Sequence, residues 1–597
     1  MRKAHLLVPN KRSSHPRNFI FFDTETKVVD QTDDYEIQVL RLGVAKYVRK
    51  EEGSYTEDEI IFRSPKEFCD FILSKLRSQT KIYCFAHNLA FDFAITAIGW
   101  LLQDAGFTLQ KFFFLSGESA IEFRRARSTV VFIDSMNYFR LPLREIGRIF
   151  GLEKLEVDFN AVDDDKLIEY CRRDVEILKR CILHLVYFIK IQDLGEFRIT
   201  GASQAFQAFR HRYMKHKIYL HDSPEATRLE LEGYFGGRTE AFWLGRFNEE
   251  VTILDIQSMY PHVMKSNVFP IRLRAYLNHG LPYSVILDLL RTNCIMARCI
   301  IETDEPAYAV RKEGKLIFPR GRFETILSSG SLRYAIEQDH LREIKEMAVY
   351  KAQPIFEDYV TAFWELRKKY KEEGNTAYEA LTKLMLNSLY GKFGQRAYEQ
   401  KVMDEDSLIM PADEILYINP QGEEYRVQRF FGKLYAFRRL EEPGWNAFPA
   451  VAAHVTDYAR MLLWKYIKLA GRENVYYVDT DSLFTNREGY ERLRPYVRPG
   501  ELGYFRIVRQ VPWIEIRGLK DYRLPDEEKI KGVSKKAIKV SDSEFIQSEF
   551  PSMLSVIREE MRGYVKILRR RKKLSRVYEK GYVDNSGQVE PFYLDSK

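Results

Sequence analysis

Pairs of carboxylates at the ends of apolar strands are the residues of this sequence best suited to chemistry. The segment VYYVDTDSL carries Asp479 and Asp481 at positions i and i+2, which an extended chain turns to one side. Two carboxylates at such a short distance repel each other unless a cation lies between them. Magnesium is a suitable cation, because it binds a few carboxylates together with substrate phosphates. Asp255 ends the apolar strand of TILDIQSMYP and offers a further ligand. Taken alone, the first segment fits an Asp-rich hairpin turn equally well, and the second fits a strand cap.

A second group of acids lies in the first third of the chain. Its members are Asp23 and Glu25 in FIFFDTETK, Asn88 and Asp92 in HNLAFD, and Tyr170 and Asp174 in YCRRD. The last two are four residues apart on a predicted helix and therefore share one face. If these acids and the tyrosine hydroxyl converge, two metal ions there would activate a water and stabilise a leaving oxygen in phosphodiester hydrolysis. A lone D-x-E is weak evidence, but the three segments in this order are stronger.

The segment KLMLNSLYG predicts a helix with a polar face. Lys383, Asn387, Tyr390 and Gly391 fall at i, i+4, i+7 and i+8, which places a cation, an amide, a phenol and a gap together. A lysine neutralises phosphate charge and a glycine allows close approach. Composition alone favours a plainer interpretation, an amphipathic helix that ends at a glycine C-cap.

Strands and helices alternate around these residues. NFIFFDTETK and KIYCFAHNLAFDF read as strands, and DKLIEYCRRDVEILKRCILHLVYFIK reads as a long amphipathic helix. The alternation predicts an α/β N-terminal domain of about 200 residues. Further on, two turn-rich, β-like stretches resemble insertions on either side of a helix-rich block that breaks at Gly374-Asn375.

Composition narrows the class of protein. The chain has 597 residues, too many for one core, and 45% hydrophobic with 30% charged residues argues against global disorder. The net charge of +8 supports only weak attraction to polyanions, although the run Arg569 to Lys573 fits either a solvated helix face or a phosphate-tracking surface. Six cysteines without metal-ligand spacing, no spanning apolar run and no signal peptide lead us to expect a cytoplasmic protein with reduced thiols.

The order of the motifs resembles that of the family B DNA polymerases. DIQSMYP, KLMLNSLYGKFG and YVDTDS are similar to that family's polymerase motifs, and DTET, HNLAFD and YCRRD are similar to its three proofreading motifs. The resemblance implies α/β and α+β domains: an RNase H-like 3′–5′ exonuclease followed by a right-hand polymerase with palm, fingers and thumb. The short chain resembles the compact protein-primed subfamily of phages and linear plasmids.

That subfamily carries two insertions, which gives the expected domain order. The domains are the exonuclease 1–205, a first palm segment 206–266, an insertion contacting the priming protein 267–354, the fingers 355–398, an insertion for processivity and strand displacement 399–446, a second palm segment 447–535 and the thumb 536–597.

Roles in the polymerase follow from the resemblance. Asp255 and Asp481 would hold two magnesium ions, with manganese as an alternative, and Asp479 would support them less directly. Tyr260 would reject a ribose 2′-hydroxyl. The remaining nucleotide contacts would be Lys371, Lys383, Asn387, Tyr390 and Gly391. Gln257 and Met259, on either side of Ser258, differ from the residues that many relatives have there. We therefore expect altered nucleotide contacts at these two positions.

The resemblance also implies the exonuclease and DNA-binding residues. Asp23, Glu25, Asp92 and Asp174 would hold two metal ions, Tyr170 would position the water and Lys154 would assist. Asn88, Phe93 and Ser135 would touch the frayed primer end. Tyr234, Gly236 and Gly237 match a Y-x-G-G linker motif, Lys520 and Tyr522 a K-x-Y primer-binding motif, and Lys529 and Lys531 a later basic motif.

The expected function is therefore template-directed DNA synthesis with 3′–5′ proofreading by a monomer whose partners are template–primer DNA, dNTPs and a terminal priming protein. Two alternatives stay open. One is a family B enzyme that starts from a nucleic-acid primer or from none. The other is a DNA-binding or nuclease-only protein with a silent polymerase site. A reverse transcriptase is disfavoured, because KLMLNSLYG and the exonuclease motifs are typical of family B.

Overall fold

The computed structural model describes residues 2–51, 54–115, 118–159, 162–403, 415–418 and 424–595. Two stretches of the predicted second insertion, 404–414 and 419–423, lie outside the described residues. Within the described ranges, no helix is both long and apolar enough to cross a membrane.

The N-terminal sheet is built around the strand Asn18–Gln31. Its apolar residues alternate between two cores, with Phe19 and Phe21 in one and Ile20 and Phe22 in the other. Both faces are thus covered, which explains the unbroken apolar run. In spatial order the strands are Ile538–Ser541, Glu544–Glu549, Tyr564–Lys573, Tyr35–Lys50, Asn18–Gln31, Lys81–Ala86, Ser128–Asp134, Glu118–Arg125 and Thr108–Leu115, with Tyr55–Phe62 also paired to Tyr35–Lys50.

Helices cover both faces of this sheet. The helix Asp164–Ile191 begins at Asp163, whose side chain accepts from the Lys166 amide, and it packs into the core that holds Phe19 and Phe21. The opposite face carries the helices Pro65–Ser74, Leu89–Ile95 and Ile98–Asp104. The strand–helix alternation predicted for the N-terminal 200 residues is confirmed.

A second, antiparallel sheet forms the centre of the molecule. Its order is Thr239–Ala241, Val475–Asp479, Ser482–Thr485, Val251–Ile256 and Phe505–Val511. The buried helix Pro449–Ala470 packs in the large core shared with this sheet. A smaller sheet of Gly245–Phe247, Ile514–Gly518, Asp521–Leu524 and Glu527–Ile530 adjoins it.

The predicted helix-rich block is two packed helices, Glu357–Glu372 and Thr376–Ser388. They break at Gly374, which has φ 66°, and the Asn375 side chain accepts from the Tyr378 amide to start the second helix. The break predicted at Gly374-Asn375 is confirmed.

Both predicted insertions form sheets. The first contains Phe269–Leu277, Leu341–Gln353, Asn293–Thr303, Arg320–Leu327 and, from the far end of the chain, Tyr593–Asp595. The second contains Arg396–Met403, Lys433–Pro443, Glu424–Phe430 and Ile415–Ile418. The last strand of the first sheet comes from a segment that no sequence pattern connects with it.

The C-terminal segment extends the N-terminal sheet. The strand Tyr564–Lys573 pairs with Tyr35–Lys50, and Val565 and Ile567 alternate into its core. The run Arg569 to Lys573 therefore lies on a strand, and the helix-face interpretation is wrong, because the buried residues before it alternate with period two. Arg569, Arg570 and Arg571 pair with Glu36, Glu549 and Glu544, respectively.

Shorter elements complete the described chain. The remaining α-helices are Leu143–Ile149, Gly201–Ala208, Pro224–Gly233, Met259–Ser266, Tyr283–Leu289, Ser329–Glu337, Arg487–Leu493 and Met553–Arg558. Phe209–Tyr213 is a π-helical turn, and the 3₁₀ turns are Ser135–Asn137, Tyr390–Lys392, Arg472–Asn474 and Arg494–Tyr496. The strand pairs are His5–Leu7 with Ile218–Leu220, Val310–Lys312 with Lys315–Ile317, and Gly581–Val583 with Val589–Pro591.

Replacing Ile567 should loosen the junction between the two ends of the chain. Ile567 is 1% exposed, and Ile567→Ala leaves a cavity that costs about 2–5 kcal/mol. We expect a lower denaturation midpoint and faster hydrogen exchange in Tyr35–Lys50. The control Ile538→Ala, at an isoleucine that is 66% exposed, should change stability by less than about 0.5 kcal/mol. Equal effects of the two substitutions would contradict the junction.

Candidate active sites

The central sheet brings Asp255 and Asp481 together. Asp255 lies near the end of Val251–Ile256, where it pairs in register with Ser482, and the Ile256 amide donates to the Asp481 carbonyl at 2.8 Å. Burial, followed by the charge of Asp255, raises the pKa of Asp481 to about 6. Within the described ranges Asp481 has no ion-pair partner, so its charge is left for a ligand to neutralise.

Asp479 faces other partners. Thr480 between the two acids has φ 64°, so the chain turns there instead of running straight, and the expectation from an extended chain is not met. The reason is the tight connection between Val475–Asp479 and Ser482–Thr485. Asp479 accepts from Thr239 Oγ1 at 3.1 Å and lies 3.3 Å from Lys520 Nζ.

Arg506 is a neighbour that the sequence did not indicate. Its Nε donates to Asp255 Oδ1 at 2.9 Å from the adjacent strand Phe505–Val511. An arginine in the alternating segment FRIVRQV resembles any solvent-facing strand residue, so only the strand pairing reveals its place. The guanidinium partly balances Asp255 and leaves the second oxygen of that carboxylate available.

A stacked pair of tyrosines lies near these acids. The rings of Tyr260 and Tyr390 are 4.7 Å apart and inclined by 23°. A Cβ added at Gly237 would lie 2.9 Å from the Tyr260 hydroxyl and 3.0 Å from Thr480, so only glycine allows this approach. Gly391 borders open space.

The loop that carries the Y-x-G-G residues is held from the helix Pro449–Ala470. Arg460 donates to the carbonyls of Phe235 at 3.1 Å and Gly236 at 2.8 Å, while Asp457 pairs with it at 3.3 Å. Tyr234 packs against Gly394 so closely that a Cβ there would lie 2.4 Å from its ring. The linker is thereby fixed against both the tyrosine pair and the turn that follows the helix-rich block.

The predicted phosphate-binding cations lie on the two packed helices. Lys371, Lys383 and Asn387 are all exposed. Arg367, which no sequence motif indicated, donates to Ser258 Oγ at 3.2 Å and so connects this block to the segment after Asp255.

Gln257 and Met259 have structural roles. Gln257 Nε2 donates to the carbonyls of Arg498, Glu501 and Tyr504, and its Oε1 accepts from the Gly500 amide at 2.7 Å. Met259 is 2% exposed. The altered nucleotide contacts expected here find no support, because the amide fixes a loop and the thioether is in the core.

The N-terminal sheet assembles the second acidic centre. One ligand atom each of Asp23, Glu25 and Cys171 lies within 4.8 Å of the others. Burial, then the charge of Asp174, raises the pKa of Asp23 to about 7, and burial, then the charge of Asp23, raises that of Glu25 to about 9. Cys171 was not among the predicted site residues, although it is adjacent to Tyr170.

Asp92 and Asp174 complete this centre. Asp92 is 2% exposed and accepts from Thr24 Oγ1 at 2.6 Å. Lys154 pairs with Asp174 and lies 4.3 Å from the centre of the Tyr170 ring, so the predicted lysine is close to both predicted partners. The other Asp174 oxygen, Oδ1, is buried without a hydrogen-bond partner in the described part of the chain.

Of the three residues predicted to contact the primer end, one is exposed and two are buried. Asn88 is exposed with φ 68°, and Asp134, another acid missed in the sequence, holds this turn by accepting from the amides of Asn88 and Leu89 at 3.1 and 3.0 Å. Phe93 and Ser135 are fully buried, and the expectation that they face DNA is corrected. Phe93 packs in an aromatic core because it faces inward on its helix, and Ser135 Oγ bonds His87 at 2.8 Å.

The lysine of the K-x-Y motif, Lys520, borders a basic cleft of about 500 Å³. Lys520, Lys531 and Lys580 line it, and Lys580 Nζ donates to the Thr239 carbonyl at 2.8 Å. Tyr522 packs against Phe484, and Lys529 Nζ lies 5.6 Å from the centre of the Tyr522 ring. The cleft adjoins Asp479 through Lys520 and Thr239.

Both acidic centres offer carboxylate oxygens, which are the donors that hard divalent cations prefer. Buried carboxylates with raised pKa and an unpartnered oxygen on Asp174 favour a bound cation over an apolar replacement.

Known proteins resemble this chain in sequence and in fold. The family model for DNA polymerase type B, organellar and viral, matches residues 153–416. A solved structure of phi29 DNA polymerase with primer–template DNA superposes with a TM-score of 0.68 at 19% identity, covering 94% of this chain and 100% of that one. The predicted fold, an exonuclease-type domain followed by palm, fingers and thumb, is confirmed.

The alignments with curated relatives cover smaller shares of this chain than the structural match does. The DNA-directed DNA polymerase of Enterobacteria phage PRD1 is 26% identical over 341 residues, 55% of this chain and 56% of the relative. A probable DNA polymerase of Neurospora intermedia is 22% identical over 53% of this chain and 33% of the relative, so the chain spans about half or less of these two proteins. The DNA polymerase of Streptococcus phage Cp-1 is 23% identical over 67% of this chain and 70% of the relative. The predicted resemblance to the compact protein-primed family B polymerases is confirmed.

Glu25→Gln should stabilise the metal-free protein, increasingly so as the pH rises. The pKa of Glu25 is about 9 in the folded chain and near 4.5 when unfolded, so the folded chain keeps a proton that the unfolded chain releases. Stability conferred by that proton is present below about pH 4.5 and is lost as the pH rises toward about 9. The variant's gain in melting temperature should therefore be small at about pH 4 and largest near pH 9.

Magnesium should shrink this gain, because a cation stabilises the ionised carboxylate. Glu169→Gln, at an exposed position on the helix Asp164–Ile191, is the matched control and should show no such pH dependence. A gain that is constant across pH would show that Glu25 is ionised in the metal-free protein.

Proposed function

We propose that this chain is a template-directed DNA polymerase with a 3′–5′ proofreading exonuclease. The observation that supports it best is the presence of two separate acidic centres, Asp255 with Asp481 on the central sheet and Asp23 with Glu25 and Asp174 on the N-terminal sheet. The substrates are template–primer DNA and dNTPs, and each centre takes two divalent cations, magnesium or manganese.

In the polymerase reaction, the primer 3′-hydroxyl attacks the α-phosphate of a dNTP. Asp255 and Asp481 would hold the cations, which would supply charge stabilisation to the transferred phosphate. Arg506 keeps Asp255 in position. Lys371 and Lys383 neutralise the triphosphate, with Asn387 on the same face, and positioning accounts for most of the rate.

Tyr260 and Tyr390 form the pocket for the incoming nucleotide. Tyr260 is held by the stack on Tyr390 and by the contact over Gly237, so its ring has little freedom to move aside. A sugar with a 2′-hydroxyl then meets a fixed ring, which favours deoxyribose. Gly391 leaves room beside the ring for the nascent base pair.

In the exonuclease reaction, water attacks the terminal phosphodiester bond. Asp23, Glu25, Asp92 and Asp174 would hold the cations, which would supply charge stabilisation, while Tyr170 orients the water and Lys154 fixes Asp174. Asn88, exposed at the start of the helix that carries Asp92, contacts the frayed end.

DNA is gripped by the basic cleft and the linker. Lys520, Tyr522, Lys529 and Lys531 follow the primer strand near the polymerase centre, beside Tyr234, Gly236 and Gly237. In the C-terminal segment Arg569 to Arg571 already pair with glutamates, so their contribution to DNA affinity is smaller than the sequence suggested.

Replication starts from a terminal priming protein, whose hydroxyl side chain takes the place of the primer. The support for protein priming is the resemblance to the protein-primed subfamily. A nucleic-acid-primed enzyme is the rival in the same family. A nuclease with a silent polymerase site is the rival of another class, and the proximity of Asp255 and Asp481 argues against it.

Asp481→Ala should abolish primer extension and spare 3′-end trimming, and Asp23→Ala combined with Glu25→Ala should do the reverse. Losing a metal ligand removes several kcal/mol of charge stabilisation, so each lost activity should fall by about a thousandfold or more. A labelled primer–template, with and without dNTPs, measures both activities. Asp33→Ala, at an exposed acid, is the control and should retain both. If either variant loses both activities while folded, the assignment of two centres is incorrect.

Protein priming predicts a covalent nucleotide–protein adduct. Template, labelled dNTP and a candidate priming protein should give a labelled product that survives denaturation and disappears with Asp481→Ala. Template and dNTP with an oligonucleotide primer should give extension in either case. Extension from the oligonucleotide without any adduct across the candidate proteins would favour the nucleic-acid-primed rival.

A further inference from the structure

A buried thiol lies at the base of the N-terminal acidic centre. Cys171 follows Tyr170 on the helix Asp164–Ile191 and is 0% exposed. Its Sγ donates to the Asp23 carbonyl at 3.3 Å and lies 3.6 Å from Asp23 Oδ2. With Glu25 it completes a group of three ligand atoms, all within 4.8 Å of one another.

This thiol stands apart from the other five cysteines. In the described part of the chain the group of Asp23, Glu25 and Cys171 is the one set of three side chains spaced to hold a metal ion. The central-sheet centre of Asp255 and Asp481 contains no cysteine in its motifs. The two acidic centres therefore differ in chemical softness, since only the N-terminal one combines oxygen with sulfur.

The spacing of sulfur and oxygen suits a tetrahedral cation. Zinc–sulfur and zinc–oxygen bonds are about 2.3 and 2.1 Å long, and a tetrahedral angle between them gives a sulfur–oxygen separation of about 3.6 Å. Cys171 Sγ and Asp23 Oδ2 are 3.6 Å apart. Magnesium requires octahedral oxygen donors and gains nothing from the thiol.

A second observation points to a ligand in the same place. Asp174 is 4% exposed, and its Oδ1 has no hydrogen-bond partner among the described residues, although Oδ2 pairs with Lys154. After burial, the charge of Asp174 is the next cause of the raised pKa of Asp23, so the two carboxylates are near enough to repel each other. A buried acceptor without a partner is costly unless a cation or a donor occupies the space beside it.

We propose that the N-terminal centre is also a site for soft or borderline divalent cations such as Zn²⁺ and Cd²⁺, held by Asp23, Glu25 and the Cys171 sulfur. On binding, the thiol releases its proton to solvent and the sulfur becomes a thiolate ligand. The cation competes with the hard cations of the proofreading reaction and inhibits trimming selectively. The inhibition rests on the proposed function, whereas the binding does not.

Spectroscopy on the full chain tests the binding without reference to activity. Titration with Co²⁺ or Cd²⁺ in magnesium-free buffer should produce a sulfur-to-metal charge-transfer band in the ultraviolet. The band should saturate at an intensity that corresponds to one metal–thiolate bond per chain. Cys171→Ser and Cys171→Ala should both lose the band. Cys181→Ser, at a buried cysteine on the same helix, should keep it. Melting curves establish that each variant is folded, and a folded wild-type chain without the band would overturn the proposal.

The inhibition is measured as the concentration of Cd²⁺ or Zn²⁺ that halves 3′-end trimming, relative to each variant's own uninhibited rate. We expect this concentration to be at least about tenfold higher for Cys171→Ser than for wild type or Cys181→Ser. Equal sensitivity, with trimming present, would contradict the selective site. A chain that shows the band but no trimming under any condition would instead contradict the proposed exonuclease.

Discussion

The central constraint on this molecule is the cost of holding several carboxylates together inside a protein. Burial and mutual repulsion raise the pKa of Asp23, Glu25 and Asp481, which means that the fold alone disfavours their charged forms. Such groups stabilise the folded chain only when a cation compensates them. The strands and helices around them must therefore be stable enough to carry this cost, and the apolar strands that precede each acid are the reason they can.

The two sheets meet this constraint in different ways. In the N-terminal sheet the acids come from a strand, from the helix after a neighbouring parallel strand and from a long helix across the face. In the central sheet Asp255 comes from a strand and Asp481 from the turn that precedes the neighbouring antiparallel strand, and backbone hydrogen bonds fix their separation. Distances in the central-sheet centre therefore depend on strand register, whereas those in the N-terminal centre depend on how the Asp164–Ile191 helix packs.

The sequence predicts the acids and their strands well, because an acid at the end of an apolar run is a local signal. It predicts partners across the fold poorly. Arg506 and Arg367 act through strand pairing and helix packing, which no local pattern encodes. Phe93 follows Asp92 in the chain but packs in an aromatic core, so its position beside a site residue did not indicate a contact with DNA. The strand Tyr564–Lys573 shows its period of two in sequence, yet its pairing with Tyr35–Lys50, over 500 residues away, does not.

The basic side chains explain why the acids remain available. In each centre one acid has an internal partner, Asp255 with Arg506 and Asp174 with Lys154, whereas Asp481, Asp23 and Glu25 have no ion-pair partner among the described residues. Had every carboxylate an internal partner, neither centre would attract a metal or a phosphate. Had none, repulsion would separate the strands. Partial neutralisation therefore keeps the acids close enough to act together while their remaining charge is left for cations that arrive with the substrate.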